Sequence, residues 1–276
     1  MTIKPSADNY VERCLRGEEL YGNNFSPEEI KEWFRDEREA YYGLAVRKKN
    51  NYTYSYHALN WLHGFSFLKG KSFNCVLGVG SAFGDELQPI AQRCKSITIL
   101  EPSENFLVNK IGEVPVKYVK PSPDGSLPFP DDAFDLITCL SVLHHIPNVG
   151  EVCREIYRCL APRGYALVRE PIVSMGDWRQ PRRGLTTRER GIPLHILRNI
   201  LKNLGFKIVR ERMCIYPLIP RLRYVLKTPP YNSRICAAAD WMLSLLPFRS
   251  SCYHPKYLYQ KLRPQAVFFV LSKPGP

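Results

Sequence analysis

The sequence predicts an α/β protein: a largely parallel sheet with helices on both faces. Three observations carry this expectation. Short continuous apolar runs alternate with helical stretches through the middle of the chain, as strands buried on both sides do. The first run enters a glycine-rich turn, "VLGVGSAFGDE" (76–86). The chain has 276 residues and 45% hydrophobic content, enough for one large domain with additions and a core that needs no disulfide or metal staples.

The first seventy residues read as helices. "FSPEEIKEWFRDEREAYYGL" (25–44) has Ser26 as N-cap, Pro27 at the first helical position and acids in the first turn. "YTYSYHALNWLHGFSFL" (52–68) follows, rich in Tyr. The strands then begin with "FNCVLGV" (73–79), followed by a helical stretch from Glu86 to Arg93. "SITILE" (96–101), "VPVKYV" (114–119) and "FDLITCL" (134–140) are strands two to four. A helix from Val149 to Leu160 leads to the fifth, "GYALVREP" (164–171). A helix from Pro193 to Leu204, a sixth strand in "GFKIVRERMCI" (205–215) and a seventh in "QAVFFVLSK" (265–273) complete the pattern. Residues 1–70 are thus expected to form a helical extension or lid. Residues 71–276 form the main domain, with an insertion at about 216–264 that is rich in Pro, Arg, Leu and aromatics.

Nine cysteines, an odd number, suit a reducing compartment. Met1 to Tyr10 is polar, which argues against a signal peptide, and "ICAAADWMLSLLPF" (235–248) is too short to span a bilayer. The expected location is the cytoplasm. No Cys-x-x-Cys or His-x-x-x-His spacing occurs, so no metal site is inferred. The net charge of +13 is uneven: residues 172–276 hold 19 Lys/Arg against four Asp/Glu. Such a basic third suits an anionic partner, whether nucleic acid, a phosphate-bearing substrate or an anionic membrane surface, or else a solvated basic face.

The glycine turn and Glu101, which ends the second strand about twenty residues on, form an adenosine-binding arrangement that a dinucleotide enzyme would share. Later motifs discriminate. "DGSLPFPDDAFDLITCLSVLHHIPNV" (124–149) and "EIYRCLAPRGYALVREP" (155–171) resemble the class I S-adenosylmethionine-dependent methyltransferases, type 11 branch. The resemblance spans residues 70–215 and implies a Rossmann-like fold of seven mostly parallel strands, with the terminal strand as the seventh. The cofactor it implies is S-adenosylmethionine, with S-adenosylhomocysteine as product. Gly78, Gly80, Ala82 and Gly84 would form the turn that lets backbone approach the cofactor, and Glu101 would bind the ribose hydroxyls. Pro102 and Ser103 would line the adenine side, with Asp124 and Gly125 near the ring. Leu140, Ser141 and His145 would face cofactor and acceptor.

Three positions depart from the family pattern. Gly78 stands where an acid helps hold the cofactor's amino group, and Asp85 or Glu86 is the available substitute. Ala82 replaces a loop glycine, tolerable if its φ is negative. Arg163 replaces the first glycine of the turn before the fifth strand.

Methyl transfer to a hydroxyl needs alignment and a base near neutrality. His145, His144 and Glu170 are the candidates, against packing roles for the histidines and a salt bridge from Glu170 to Arg169 or Arg179. Arg179, Arg182, Arg183 and Arg188 crowd one loop and could grip an anionic acceptor or pair internally. Tyr56 and His57 belong to a Tyr-rich segment that could stack on a sugar or simply pack. Trp241, Met242, Leu245, Leu246, Pro247 and Phe248 beside Arg249 could lie in a membrane interface, at the inner face, or form an ordinary lid.

The segment "REPIVSMGDWRQPRRGLTTRERGIP" (169–193) resembles one found in bacterial methyltransferases encoded near glycosyltransferases. The expected activity is therefore O-methylation of a surface glycan or its lipid-linked precursor, with a glycan, glycolipid or other hydroxylated, anionic acceptor as partner. A small-molecule or RNA methyltransferase is the second reading. No RNA-binding module is seen, and "TPPY" (228–231) is misplaced for base methylation. A non-catalytic binding protein, motivated by Gly78, is the third.

Overall fold

A computed structural model describes residues 7–45, 52–247 and 252–275; Phe248 and Arg249 lie outside them. Three helices come first: α1 (Ala7–Arg16), α2 (Pro27–Glu37) and α3 (Ala40–Ala45). The start of α2 follows from its sequence. Ser26 Oγ accepts the Glu29 N–H, Glu29 returns a bond to the Ser26 N–H, and Pro27 occupies the first turn. The single helix expected over 25–44 breaks at Arg38 and Glu39 into α2 and α3. Trp33 is fully buried, and its Nε1 donates to the His145 carbonyl, so α2 is tied to the strand-end loop below it.

α4 (His57–His63) and a 3-10 turn (Phe65–Leu68) lead into the sheet. Its strands are β1 (Phe73–Val79), β2 (Cys94–Leu100), β3 (Lys110–Ile111), β4 (Val114–Val119), β5 (Phe134–Leu140), β6 (Leu160–Pro171), β7 (Lys207–Cys214) and β8 (Ala266–Ser272). Their order is β3-β4-β2-β1-β5-β6-β8-β7. β4, β2, β1, β5 and β6 run parallel, whereas β8 is antiparallel to both β6 and β7. The seven expected strands are all present. The eighth is β3, a two-residue partner of β4 too short to leave a pattern in sequence.

α5 (Val149–Cys159) and α6 (Leu194–Asn203) cover one face of the sheet. α5 buries Val149, Val152, Cys153 and Ile156, spaced one helical turn apart, so one stripe meets the sheet while Arg154 stays outside. The opposite face packs Leu59, Phe65 and Leu68 against the inner residues of β1, β2 and β8. The insertion between β7 and β8 holds α7 (Leu218–Arg221), α8 (Arg234–Ser244) and α9 (Leu258–Lys261). Asp240 is fully buried there and accepts the N–H groups of Ile215 and Tyr216 and the Tyr231 hydroxyl, which pins α8 to the end of β7.

Two local expectations are corrected. The helix after the glycine turn is a 3-10 helix, Asp85–Arg93, with Pro89 inside it. Proline removes an amide donor and crowds the preceding turn, which prevents regular α-helix. Ala82 has φ +48°, not a negative value, so the loop holds a non-glycine residue in the left-handed region at a cost of about 1–2 kcal/mol. Arg163 likewise takes the glycine-like conformation of the residue it replaces, at φ +64°.

Candidate active site

Strand order reverses between β1 and β5, and open α/β sheets bind ligands beyond the carboxyl ends of the strands at such a switch point. A cavity of about 820 Å³ lies there. Its floor is the glycine turn (Gly80, Ser81, Ala82) with Glu86, Glu101 and Pro102. Leu140 ends β5, Ser141, His144 and His145 follow it, and Gly125 and Leu127 form one side. Phe34, Glu37, Arg38 and Tyr41 of the N-terminal helices and Tyr52 to Tyr56 close the top.

The turn has no room for a side chain at its first glycine. Gly80 has φ +60°, and a Cβ there would fall 2.7 Å from Val142. Ala82 is held in its strained conformation from both sides: its N–H donates to Glu101, and its carbonyl accepts the Tyr118 hydroxyl. Glu101 also accepts the Ser103 N–H. Burial pushes the Glu101 carboxyl up to about 7, since two amide donors compensate only in part.

The missing acid at position 78 has a steric explanation. A Cβ on Gly78 would lie 2.3 Å from Ser81 Oγ. That hydroxyl, with Thr138 Oγ1, donates to Glu86 Oε1 at 2.8 and 2.7 Å. An acid is therefore present at the cavity floor, reaching it from the 3-10 helix instead of the strand. Burial raises its carboxyl to about 6.

Other expected cofactor residues are not at the cavity. Gly78 serves packing, and so does Gly84, whose Cβ would meet Ile111 at 2.2 Å. Ser103 turns its hydroxyl to Glu39. Asp124 is exposed and accepts from Ser126, so only the backbone corner at Gly125 reaches the lining.

The proton-handling side is built around His145. Its Nδ1 lies 2.8 Å from Glu37 Oε2 and its Nε2 lies 3.3 Å from Glu189 Oε2. Burial alone would raise the Glu37 carboxyl, but the His145 ring, Thr186 and the Arg188 N–H carry it below its ordinary value. Burial keeps the Glu189 carboxyl raised, and its Oε1 has no partner among the described residues. Thus one carboxylate orients the imidazole and a second faces its cavity-side nitrogen.

His144 is buried, and burial with the neighbouring His145 drops it to about 4, so it stays neutral near pH 7. Glu170 is fully buried, accepts the N–H groups of Val142, Leu143 and His144, and meets His144 Nδ1 at 2.8 Å. It does not line the cavity, which corrects the expectation of a base, and its partners are amides and His144 instead of Arg169 or Arg179. Arg190 completes the loop by donating to the carbonyls of Tyr21, Leu143, His144, Ile146 and Pro147. His144, His145 and Glu189 offer ligand-type atoms within 4.8 Å of one another, so this trio could hold a cation as well as share a proton.

The arginine loop does not form an anion site. Arg179 pairs with Asp177, Arg188 with Asp36 and Glu32, and Arg182 donates to the carbonyls of Met175, Thr186 and Thr187. Arg183 is exposed, and none of the four lines the cavity. Of the Tyr-rich pair, Tyr56 lines it and His57 does not. Glu37, Arg169 and Glu189 are cavity residues that the sequence reading did not assign there; of the two acids it offered in place of the one absent at position 78, Glu86 lines the cavity and Asp85 does not.

Fold and site together define an α/β domain with a cavity at its switch point and an acid–base group on that cavity's wall. Residues 77–168 match the family described as a methyltransferase domain. That segment is about a third of the chain. Over 100 residues the chain is 33% identical to the uncharacterized methyltransferase YcgJ of Bacillus subtilis (strain 168), covering 34% of this chain and 39% of the relative. Over 111 residues it is 31% identical to the ubiquinone biosynthesis O-methyltransferase of Pseudomonas entomophila (strain L48), covering 38% and 47%. The matched stretches thus span less than half of either relative. The crystal structure of the Bacillus YcgJ protein superimposes with a TM-score of 0.51 at 17% identity, covering 80% of this chain and 99% of that one. An S-adenosylmethionine-dependent methyltransferase from Mesorhizobium loti gives 0.52 at 15%, covering 78% and 98%. At such identities the structural likeness speaks for the fold alone.

Proposed function

We propose that the chain is a working methyltransferase that methylates an oxygen of a bacterial surface glycan or its lipid-linked precursor. The observation that supports transfer to oxygen is His145, carried between Glu37 and Glu189 on the same cavity as Gly80, Ala82 and Glu101.

S-adenosylmethionine supplies, when bound, a methyl group already activated on a sulfonium. The residues fit it: Glu101 would accept from the ribose hydroxyls, the left-handed turn at Gly80 admits backbone contact, and Glu86 would stand in for the acid absent at position 78. With Nδ1–H given to Glu37, His145 Nε2 is left as an acceptor 3.3 Å from Glu189, whose carboxyl is raised by burial towards its protonated form. His145 would take the proton of the acceptor hydroxyl at Nε2, and the resulting imidazolium would lie between the carboxyl groups of Glu37 and Glu189. The aromatic roof keeps water from competing.

The glycan part rests on Tyr41, Tyr52, Tyr54 and Tyr56 at the cavity roof, which can stack on sugar faces. Its lipid-linked form, and contact with the inner membrane face, rest on the insertion. All large exposed hydrophobics among the described residues except Tyr41 and Leu107 fall between 218 and 262, interspersed with Arg221, Arg223, Lys227, Arg234, Lys256 and Lys261. A second reading, a small phenolic acceptor, is favoured by the likeness to a ubiquinone biosynthesis O-methyltransferase and by the same aromatic roof.

Calorimetric titration of S-adenosylhomocysteine comes first. Micromolar binding is expected; no heat and no thermal stabilisation at millimolar ligand would make the chain a non-catalytic relative. Transfer assays with lipid-linked glycans and with simple phenols then separate the two acceptor classes.

A further inference from the structure

We propose that Arg169 is an anion-binding residue of the acceptor subsite, so that the acceptor carries a carboxylate or phosphate close to the hydroxyl that is methylated. This rests on the methyltransferase reading for the word acceptor, but the anion site itself does not.

Arg169 sits near the end of β6, lines the cavity and is 1% exposed. Its partners are all neutral. Nε and Nη2 donate to Ser141 Oγ at 3.1 and 2.8 Å, Nη1 donates to Asn60 Oδ1 at 2.6 Å, and the Tyr56 ring lies 4.1 Å from its central carbon. Those bonds use three of the five N–H groups of a guanidinium. Glu86 is an acid that its charge feels, and that carboxylate already serves Ser81 and Thr138 without pairing to the arginine among the described residues.

The contrast with Arg190 is informative. Arg190 is equally buried, but it spends its donors on five backbone carbonyls and does not line the cavity. Arg158 and Arg188, nearer the surface, have carboxylate partners. Arg169 alone among these keeps a buried charge with donors to spare, at the wall of a ligand cavity. Glu86 favours that charge from a distance but makes no ion pair with it among the described residues, and a planar fork of donors suits carboxylate and phosphate oxygens.

Sheet order locates the site on the acceptor side. Glu101 follows β2, whereas Arg169 lies on β6, three strand spacings or about 14 Å across the β2-β1-β5-β6 row. His145 follows β5, the neighbour of β6, so proton acceptor and arginine share one end of the cavity. The anionic partner expected from the arginine-rich loop is thereby reassigned to a single residue at a strand end.

The test uses the full chain saturated with S-adenosylhomocysteine, with inorganic phosphate and acetate as probes, followed by calorimetry and by the Arg169 Nε–H resonance. Wild type should bind phosphate saturably at millimolar concentration and shift that resonance. Arg169→Gln should weaken phosphate at least tenfold while leaving S-adenosylhomocysteine affinity within twofold, and Arg169→Lys should recover part of it. Equal phosphate binding by wild type and Arg169→Gln would overturn the proposal. So would a tenfold loss of S-adenosylhomocysteine with no loss of its decarboxylated analogue, because the anion would then be the cofactor's own carboxylate. Should Arg169→Gln fail to fold, an unmoved Nε–H resonance in wild type across the phosphate titration overturns it as well. Phosphate binding at Arg169 in a chain that ignores S-adenosylhomocysteine would sink the methyltransferase reading and leave the anion site standing.

Discussion

A carboxyl group as buried as that of Glu101 accepts from both hydroxyls of a ribose most strongly once it has lost its proton. Its folded-state value, about 7, lies above the ordinary 4.5, so folding favours the protonated form. The stability it contributes is therefore fully present below about pH 4.5 and is lost as pH rises through 7, a change of about 3 kcal/mol. Glu86, near 6, adds a smaller change of the same sign. The ligand-free protein is expected to melt at its highest temperature near pH 5, and Glu101→Gln should flatten that profile. Cofactor affinity should run the other way, tightening from pH 6 to pH 8. In calorimetry at pH 8, Glu101→Gln should weaken S-adenosylhomocysteine by about 1.5–3 kcal/mol, and unchanged affinity would remove the ribose role. His145→Ala is expected to slow transfer about 10²–10⁴-fold with cofactor affinity kept, measured by single-turnover kinetics. Transfer should survive EDTA; loss restored by a divalent cation would reassign His144, His145 and Glu189 as metal ligands.

At the scale of elements, the glycine turn and the loop after β5 behave differently under substitution. Restoring the family's acid by Gly78→Asp should not repair anything. The new Cβ would crowd Ser81 Oγ, so thermal denaturation should show a loss of about 1–3 kcal/mol and calorimetry no gain in affinity. Glu86→Gln, by contrast, should weaken the cofactor without that loss. These elements were legible in sequence wherever the signal is local: the Ser26 cap, the apolar stripe of α5, the acid closing β2. They were illegible where distant stretches converge. Glu37 meets His145 across 108 residues, and Arg188 finds Asp36 across 152, so no spacing rule separates a ligand-binding arginine from a paired one. The positive φ of Ala82 was hidden for another reason. It is imposed by the Glu101 and Tyr118 bonds, and residue type alone suggests the opposite.

For the whole molecule, the charge asymmetry of the sequence becomes a surface. No helix among the described residues is long and apolar enough to cross a membrane. The insertion nevertheless exposes Ile235, Met242, Leu245 and Leu246 in a stretch that also carries Arg221, Arg223, Lys227 and Arg234, a composition suited to lying on an anionic bilayer. Sedimentation with vesicles should show binding to anionic lipid, little to neutral lipid, and release by high salt, since each basic residue near such a surface contributes about 1 kcal/mol. Leu245→Asp with Leu246→Asp should abolish binding and leave S-adenosylhomocysteine affinity intact. Binding unchanged by the double variant would detach the insertion from this role.

The carboxylate that orients His145 lies on α2, well outside the segment that carries the methyltransferase signature. On the proposed reading His145 lies inside that segment and only its orienting carboxylate lies outside it, and the two meet when α2 docks through Trp33. A version of the protein that lost α2 but kept its sheet would, on that reading, retain the glycine turn and Glu101 but lose Phe34 and Glu37 from the roof, and should hold cofactor without turning it over. Supplied in excess, it would act as a competitive sink for the intact protein, and genetic interference of that kind would expose the division of labour inside a living cell.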